Sequence, residues 1–103
     1  MTVQEFMNVS GVPLHMRGYD LIKESLEMLV ENPNMSICMV DDTLARNRNS
    51  SSAAIKSNIR TAIVRGYPKL DANIKNVLFS NAEKISTAEY LKSIATAIRN
   101  NII

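Results

Sequence analysis

Between Ser51 and Arg65 the chain places Ser57, Arg60 and Thr61 where they share one side of a helix. Ala53 and Val64 lie on that side, and Ala54 and Lys56 flank it. On the opposite side Ile55, Ile59, Ala62 and Ile63 fall within about 100° of one another and must face a core. The outward side is small and carries one central guanidinium. Small side chains let a helix backbone approach the floor of a nucleic-acid groove, where Ala and Thr methyls touch thymine and Arg takes guanine bidentately. Ser50 and Ser51, at the start of the stretch, sit where free amides and the positive end of the helix dipole favour a phosphate. The chemistry indicated is recognition of base edges and phosphates. A neutral, solvated helix face is the plainer reading of the same residues.

The charge pattern points the same way. Residues 1–42 hold two bases against seven acids, a net of −5. Residues 43–70 hold Arg46, Arg48, Lys56, Arg60, Arg65 and Lys69 with no acid, a net of +6, and the remainder is at +1. An acid-free basic stretch in an otherwise acidic chain is the footprint expected where phosphates are contacted, although a solvated basic face has the same composition. Within it Arg46, Arg48, Lys56 and Arg65 are placed to meet phosphates, and Ser57, Arg60 and Thr61 to face bases.

Other chemistries find no support. The one cysteine, Cys38, lies in the apolar run Ile37–Val40 and is expected to be buried and inert. His15, the one histidine, reads as a loop residue that packs or hydrogen-bonds. Ser50, Ser51 and Ser52 have no histidine at a useful spacing, and Asp41-Asp42 reads as a helix cap before a metal site. No glycine-rich phosphate loop is present. The sequence therefore predicts no enzyme, no cofactor and no metal. No apolar run approaches the roughly 20 residues of a membrane helix and no signal peptide opens the chain, so a soluble, cytoplasmic protein is expected.

The elements that must position these residues are helical. Three Gly and three Pro in 103 residues leave few turns, and no stretch alternates with period two. Thr2 and Glu5 have capping-box spacing for a short helix carrying Val3, Phe6 and Met7 inward, ending near Ser10. A second helix is predicted from about Tyr19 to Asn32, with Leu21, Ile22, Leu26, Leu29 and Val30 in one stripe. Asp41 or Asp42 would cap a short helix through Leu44, Ala45 and Arg46, followed by a polar turn. The next helix, about 51–65, would stop at Gly66 in a left-handed conformation, ahead of Pro68. Residues Asp71–Phe79 should bury Ile74, Val77 and Leu78. Ser86 and Glu89 open a last helix carrying Tyr90, Leu91, Ile94, Ala95 and Ile98 inward. The expected fold is all-α, one compact domain of five or six helices over residues 1–103, with a helix-turn-helix in the basic stretch.

Three blocks of sequence resemble a known family. Gly11-Val12-Pro13-Leu14-His15-Met16-Arg17-Gly18-Tyr19 resembles the GVP-x-H-x-[K/R]-GY segment of the C-terminal effector domain of the sporulation transcription factor, the phosphorelay response regulator of spore-forming Firmicutes. The run Ile55–Ile63 resembles its recognition helix, and Glu89-Tyr90-Leu91 with Ala95–Arg99 its closing helix. The likeness spans residues 8–100. It implies a six-helix domain that binds promoter DNA through a helix-turn-helix, touches RNA polymerase, and places two copies on tandem sites.

The chain departs from that pattern in three ways. The family's regulators carry an N-terminal receiver domain, for which this sequence has no counterpart. Ala54 and Ser57 stand where the recognition helix has arginines, and Thr61 where it has histidine. The segment Val40–Thr43 is one residue shorter and lacks a Tyr-Pro pair. The missing arginines leave Arg60 as the matched outward residue. They also keep open an alternative, an interaction module that pairs with a full-length regulator or with polymerase and barely touches DNA.

Overall fold

Thr2 opens the first helix because its hydroxyl accepts the Glu5 amide (3.1 Å) and the Glu5 carboxylate accepts the Thr2 amide (2.8 Å). That backbone hydrogen bond holds the Glu5 carboxyl below its ordinary range. In the computed structural model, which describes residues 1–103, six helices follow in order with no strand. They are α1 (Val3–Val9), α2 (Arg17–Glu31), α3 (Ile37–Asn47), α4 (Ser52–Gly66), α5 (Ala72–Phe79) and α6 (Thr87–Arg99). A 3-10 turn, Tyr67–Lys69, continues α4. No helix is long and apolar enough to cross a membrane.

α2 is the hub, packing most extensively on α4 and α6 and also touching α1 and α3. Its buried stripe is Leu21, Ile22, Ser25, Leu26 and Leu29, and the Ser25 hydroxyl donates back to the Leu21 carbonyl at 2.7 Å. One cluster of 24 buried apolar side chains runs through all six helices. Phe6, Tyr90, Phe79 and Tyr67 form an aromatic chain through it, with centroids 6.2, 6.3 and 5.8 Å apart. The Tyr90 hydroxyl has no partner, and burial pushes its ionisation far above the ordinary phenol value.

Several boundaries differ from expectation, each for a local reason. α2 begins at Arg17, two residues early. α3 is capped by Ser36, whose hydroxyl accepts the Met39 amide at 3.1 Å, so Asp41 and Asp42 lie inside the helix. The apolar run from Ile37 is thus its first turn. Val40 takes the core position and Cys38 is exposed, not buried. Gly66 is not left-handed, with φ −86°, and Pro68 is accommodated in the 3-10 turn, where a missing amide is tolerated. On α5 Ile74 is buried, but Val77 is 60% exposed and Leu78 half-buried.

The glycines explain how closely the elements meet. A Cβ on Gly18 would lie 2.3 Å from the Ala62 Cβ and 2.4 Å from the Asn58 carbonyl oxygen, so α2 and α4 meet backbone to backbone. Gly11, at φ +81°, and Gly66 let the α1–α2 loop press on the end of α4, where a Gly66 Cβ would sit 2.6 Å from Val12. Gly18→Ala is accordingly expected to destabilise the chain by about 2 kcal/mol or more, read as a lower urea midpoint.

Asp41 is 2% exposed, and one of its carboxylate oxygens has no hydrogen-bond partner. Burial raises its pKa; the Lys56 charge opposes that shift and the Asp42 charge adds to it. The folded chain thus holds this proton more tightly than the unfolded chain. The group's contribution to stability is fully present below the unfolded carboxyl value and is lost as pH rises through the raised one. Asp41→Asn should flatten this dependence and gain roughly 1–3 kcal/mol on the parent near neutral pH. Urea titrations across pH from about 4 to about 7 check it.

Candidate nucleic-acid interface

α3 and α4 are joined by a four-residue turn, Arg48–Ser51. Asn49 takes the left-handed conformation at φ 51°, and the Asn49 and Ser50 amides donate to the Arg46 and Ala45 carbonyls. That is a Schellman closure with asparagine in the usual glycine place. Ser51 then caps α4, its hydroxyl accepting the Ala54 amide at 3.1 Å.

α4 buries Ile55, Ile59, Ala62 and Ile63, the expected inner stripe. Its other side presents Ala53, Ser57, Arg60, Thr61 and Val64 to solvent, with Val64 65% exposed. Lys56 and Arg65 are also exposed, and Ala54 is half-buried on the flank. Arg46 projects from the last turn of α3, and Ser50 is exposed in the connection. Ser57, Arg60 and Thr61 therefore share one open helix face, with Arg46 and Ser50 at one end of it and Arg65 at the other.

The cations divide into those already engaged and those left free. Arg48 pairs with Glu24 on α2, the one ion pair of the chain. Lys75 lies 4.7 Å from the centre of the Tyr67 ring, and its ammonium reaches the Pro68 carbonyl. Lys92 donates to the Met35 carbonyl and Arg99 to that of Val30, tying α6 to the two ends of the α2–α3 connection. By contrast Arg46, Lys56, Arg60, Arg65 and Lys69 donate to no protein group and form no ion pair. The acid-free stretch thus keeps five cations available, four of them among the predicted contact residues.

Two acids at the connection were not anticipated from sequence. Glu24 partly neutralises Arg48, and Asp42 accepts a hydrogen bond from Ser52 in the first turn of α4. The periodicity of α2 placed Glu24 off the buried stripe but could not show that it faces the turn. A second unanticipated feature is a groove of about 550 Å³ beside the C-terminal half of the exposed face, lined by Arg60, Val64, Tyr67, Glu83, Lys84 and Thr87. Its far wall is the loop between α5 and α6. The Tyr67 hydroxyl donates to the Ala82 carbonyl at 2.7 Å and fastens that loop to the end of α4. Burial raises the ionisation of this phenol, with a smaller push from Glu89.

An open, weakly charged helix face bordered by unpaired cations has the chemistry to accept a polyanion. Residues 3–99 match the family described as sporulation initiation factor Spo0A C terminal, nearly the whole chain. That family is the DNA-binding domain of the sporulation transcription factor, and its domains are regulatory rather than enzymatic. All-α, six-helical and matched from its first helix to its last, the chain belongs to the sporulation initiation factor Spo0A C-terminal family.

Proposed function

We propose that this chain regulates transcription by laying α4 in the major groove of promoter DNA. Arg60, with Ser57 and Thr61, faces base edges. Arg46, Lys56 and Arg65 meet phosphates, with Ser50 and Ser51 beside the backbone at the start of the helix. The observation that carries this reading is the exposed face of α4, small and uncharged except for an unpaired Arg60 at its centre. A surface of that kind approaches a groove floor closely and leaves one guanidinium to read guanine. Ala54 and Ser57 cannot supply bidentate contacts, so the preference rests on few base pairs. Two copies on tandem sites and a contact with RNA polymerase complete the proposal.

A second reading, a protein-only interaction module, is favoured by one observation: Glu24 occupies Arg48 at the turn. Salt titration separates the two. Three phosphate-neutralising cations per copy give a slope of log K against log salt of roughly −3, whereas a protein-only module binds no duplex even at low salt.

Arg60→Ala is expected to lose about 1–3 kcal/mol of discrimination between a selected and a scrambled duplex, measured by competition binding. Lys56→Ala should weaken all duplexes alike and reduce the slope by about 0.9. Glu24→Gln releases Arg48 and should tighten binding to every duplex. Its cost in stability should stay below about 1 kcal/mol, because both partners are substantially exposed.

A further inference from the structure

Lys84 is the one cation C-terminal to residue 70 that the protein does not use. Lys75, Lys92 and Arg99 are each committed to an aromatic ring or a backbone carbonyl, whereas Lys84 has neither a hydrogen bond nor an ion pair. It stands in the α5–α6 loop, across the groove from Arg60 and Val64. The groove opens directly off the face of α4 assigned to DNA, so an object lying on that face meets the loop next.

The loop is held in place rather than trailing from the domain. Ser80 and Asn81 turn the chain in consecutive left-handed conformations (φ 50° and 58°), and the Asn81 side chain donates to the Asn76 side chain at 3.0 Å. The Tyr67–Ala82 hydrogen bond then ties the loop to the residue that follows α4. Tyr67 is itself packed on Phe79, which stacks on Tyr90 in the core. A cation fixed at a set distance from a recognition helix, on its open side, has the placement of a backbone clamp.

We infer that the α5–α6 loop is a second DNA-binding element, in which Lys84 contacts the phosphate backbone along the strand flanking the bases read by α4. The inference rests on the groove-binding role proposed for α4. Glu83 lines the same groove and pairs with neither Arg60 nor Lys84. It therefore acts on a phosphate there as a repulsive neighbour and sets the strength of the contact.

The test uses the full chain with a selected duplex and a scrambled duplex, in parallel salt titrations. Lys84→Gln should reduce the salt slope by about 0.9 on both duplexes and weaken binding roughly 8-fold near 0.1 M salt, leaving their affinity ratio unchanged. Glu83→Gln should tighten both by roughly twofold. Both positions are exposed, and unchanged urea midpoints establish that the variants are folded. If Lys56→Gln lowers the slope while Lys84→Gln leaves it at the parent value, the loop contact is overturned and the role of α4 stands. If neither variant alters the slope, the role of α4 falls and the loop contact falls with it. A Lys84→Gln variant that binds DNA like the parent but fails to activate transcription with purified polymerase would assign the groove to a protein, which also overturns the inference.

Discussion

The backbone contact between α2 and α4 is the constraint from which the rest follows. Gly18 faces Asn58 and Ala62 with no room for even a methyl group, so α4 is seated closely against the central helix. Close seating fixes both the height and the rotation of α4. A rotation large enough to hide Arg60 would lift Ile55, Ile59 and Ile63 out of the core. The other end is held in the same way, because Gly11 and Gly66 let the α1–α2 loop rest on the last turn of the helix. A helix fixed at both ends pays little ordering entropy when it meets a rigid ligand. The Gly-Val-Pro and Arg-Gly-Tyr segments are distant from α4 in sequence, yet they set its pose.

Electrostatics then divides the surface by use. Cations of the C-terminal third mostly serve the fold: Lys92 fastens α6 to the Met35 carbonyl in the α2–α3 connection, and Arg99 to the Val30 carbonyl left free in the last turn of α2. Cations of the middle third mostly serve nothing within the chain. An unpaired surface cation stabilises the fold little, so five of them clustered around one helix contribute positive charge to that surface rather than stability.

How far the sequence led depended on whether a signal was local. Capping pairs and periodicity are local, so Thr2 with Glu5, the inner stripe of α4 and the buried row of α6 are all legible in the sequence alone. α3 starts ahead of the cap expected at Asp41 or Asp42, at Ser36. Ser36 wins since a helix starting there carries Val40 and Leu44 into the core, at the expense of burying the Asp41 carboxylate. The same early start rotates Cys38 to the surface. Gly66 was read as a left-handed stop because glycine commonly ends helices that way. Here its purpose is the approach of Val12, a tertiary fact with no local trace. The exposed face of α4 was likewise legible, while the pairing of Glu24 with Arg48 and the Lys84 loop were not, since each joins segments far apart in the chain.

Affinity and selectivity follow from where the acids sit. Glu24 and Asp42 both lie near the turn and the first residues of α4, where the helix dipole would otherwise make the strongest anion site. Their charges blunt phosphate attraction at that end. The C-terminal half of the helix carries Arg60 and Arg65 in the open and has no acid within its own sequence. In the proposed binding mode these acids lie away from Arg60, the guanidinium assigned to base edges. With fewer base contacts than an arginine-rich helix provides, such a domain keeps selectivity only if its indiscriminate attraction is also restrained. Acids at the turn supply that restraint without touching the face proposed to read bases.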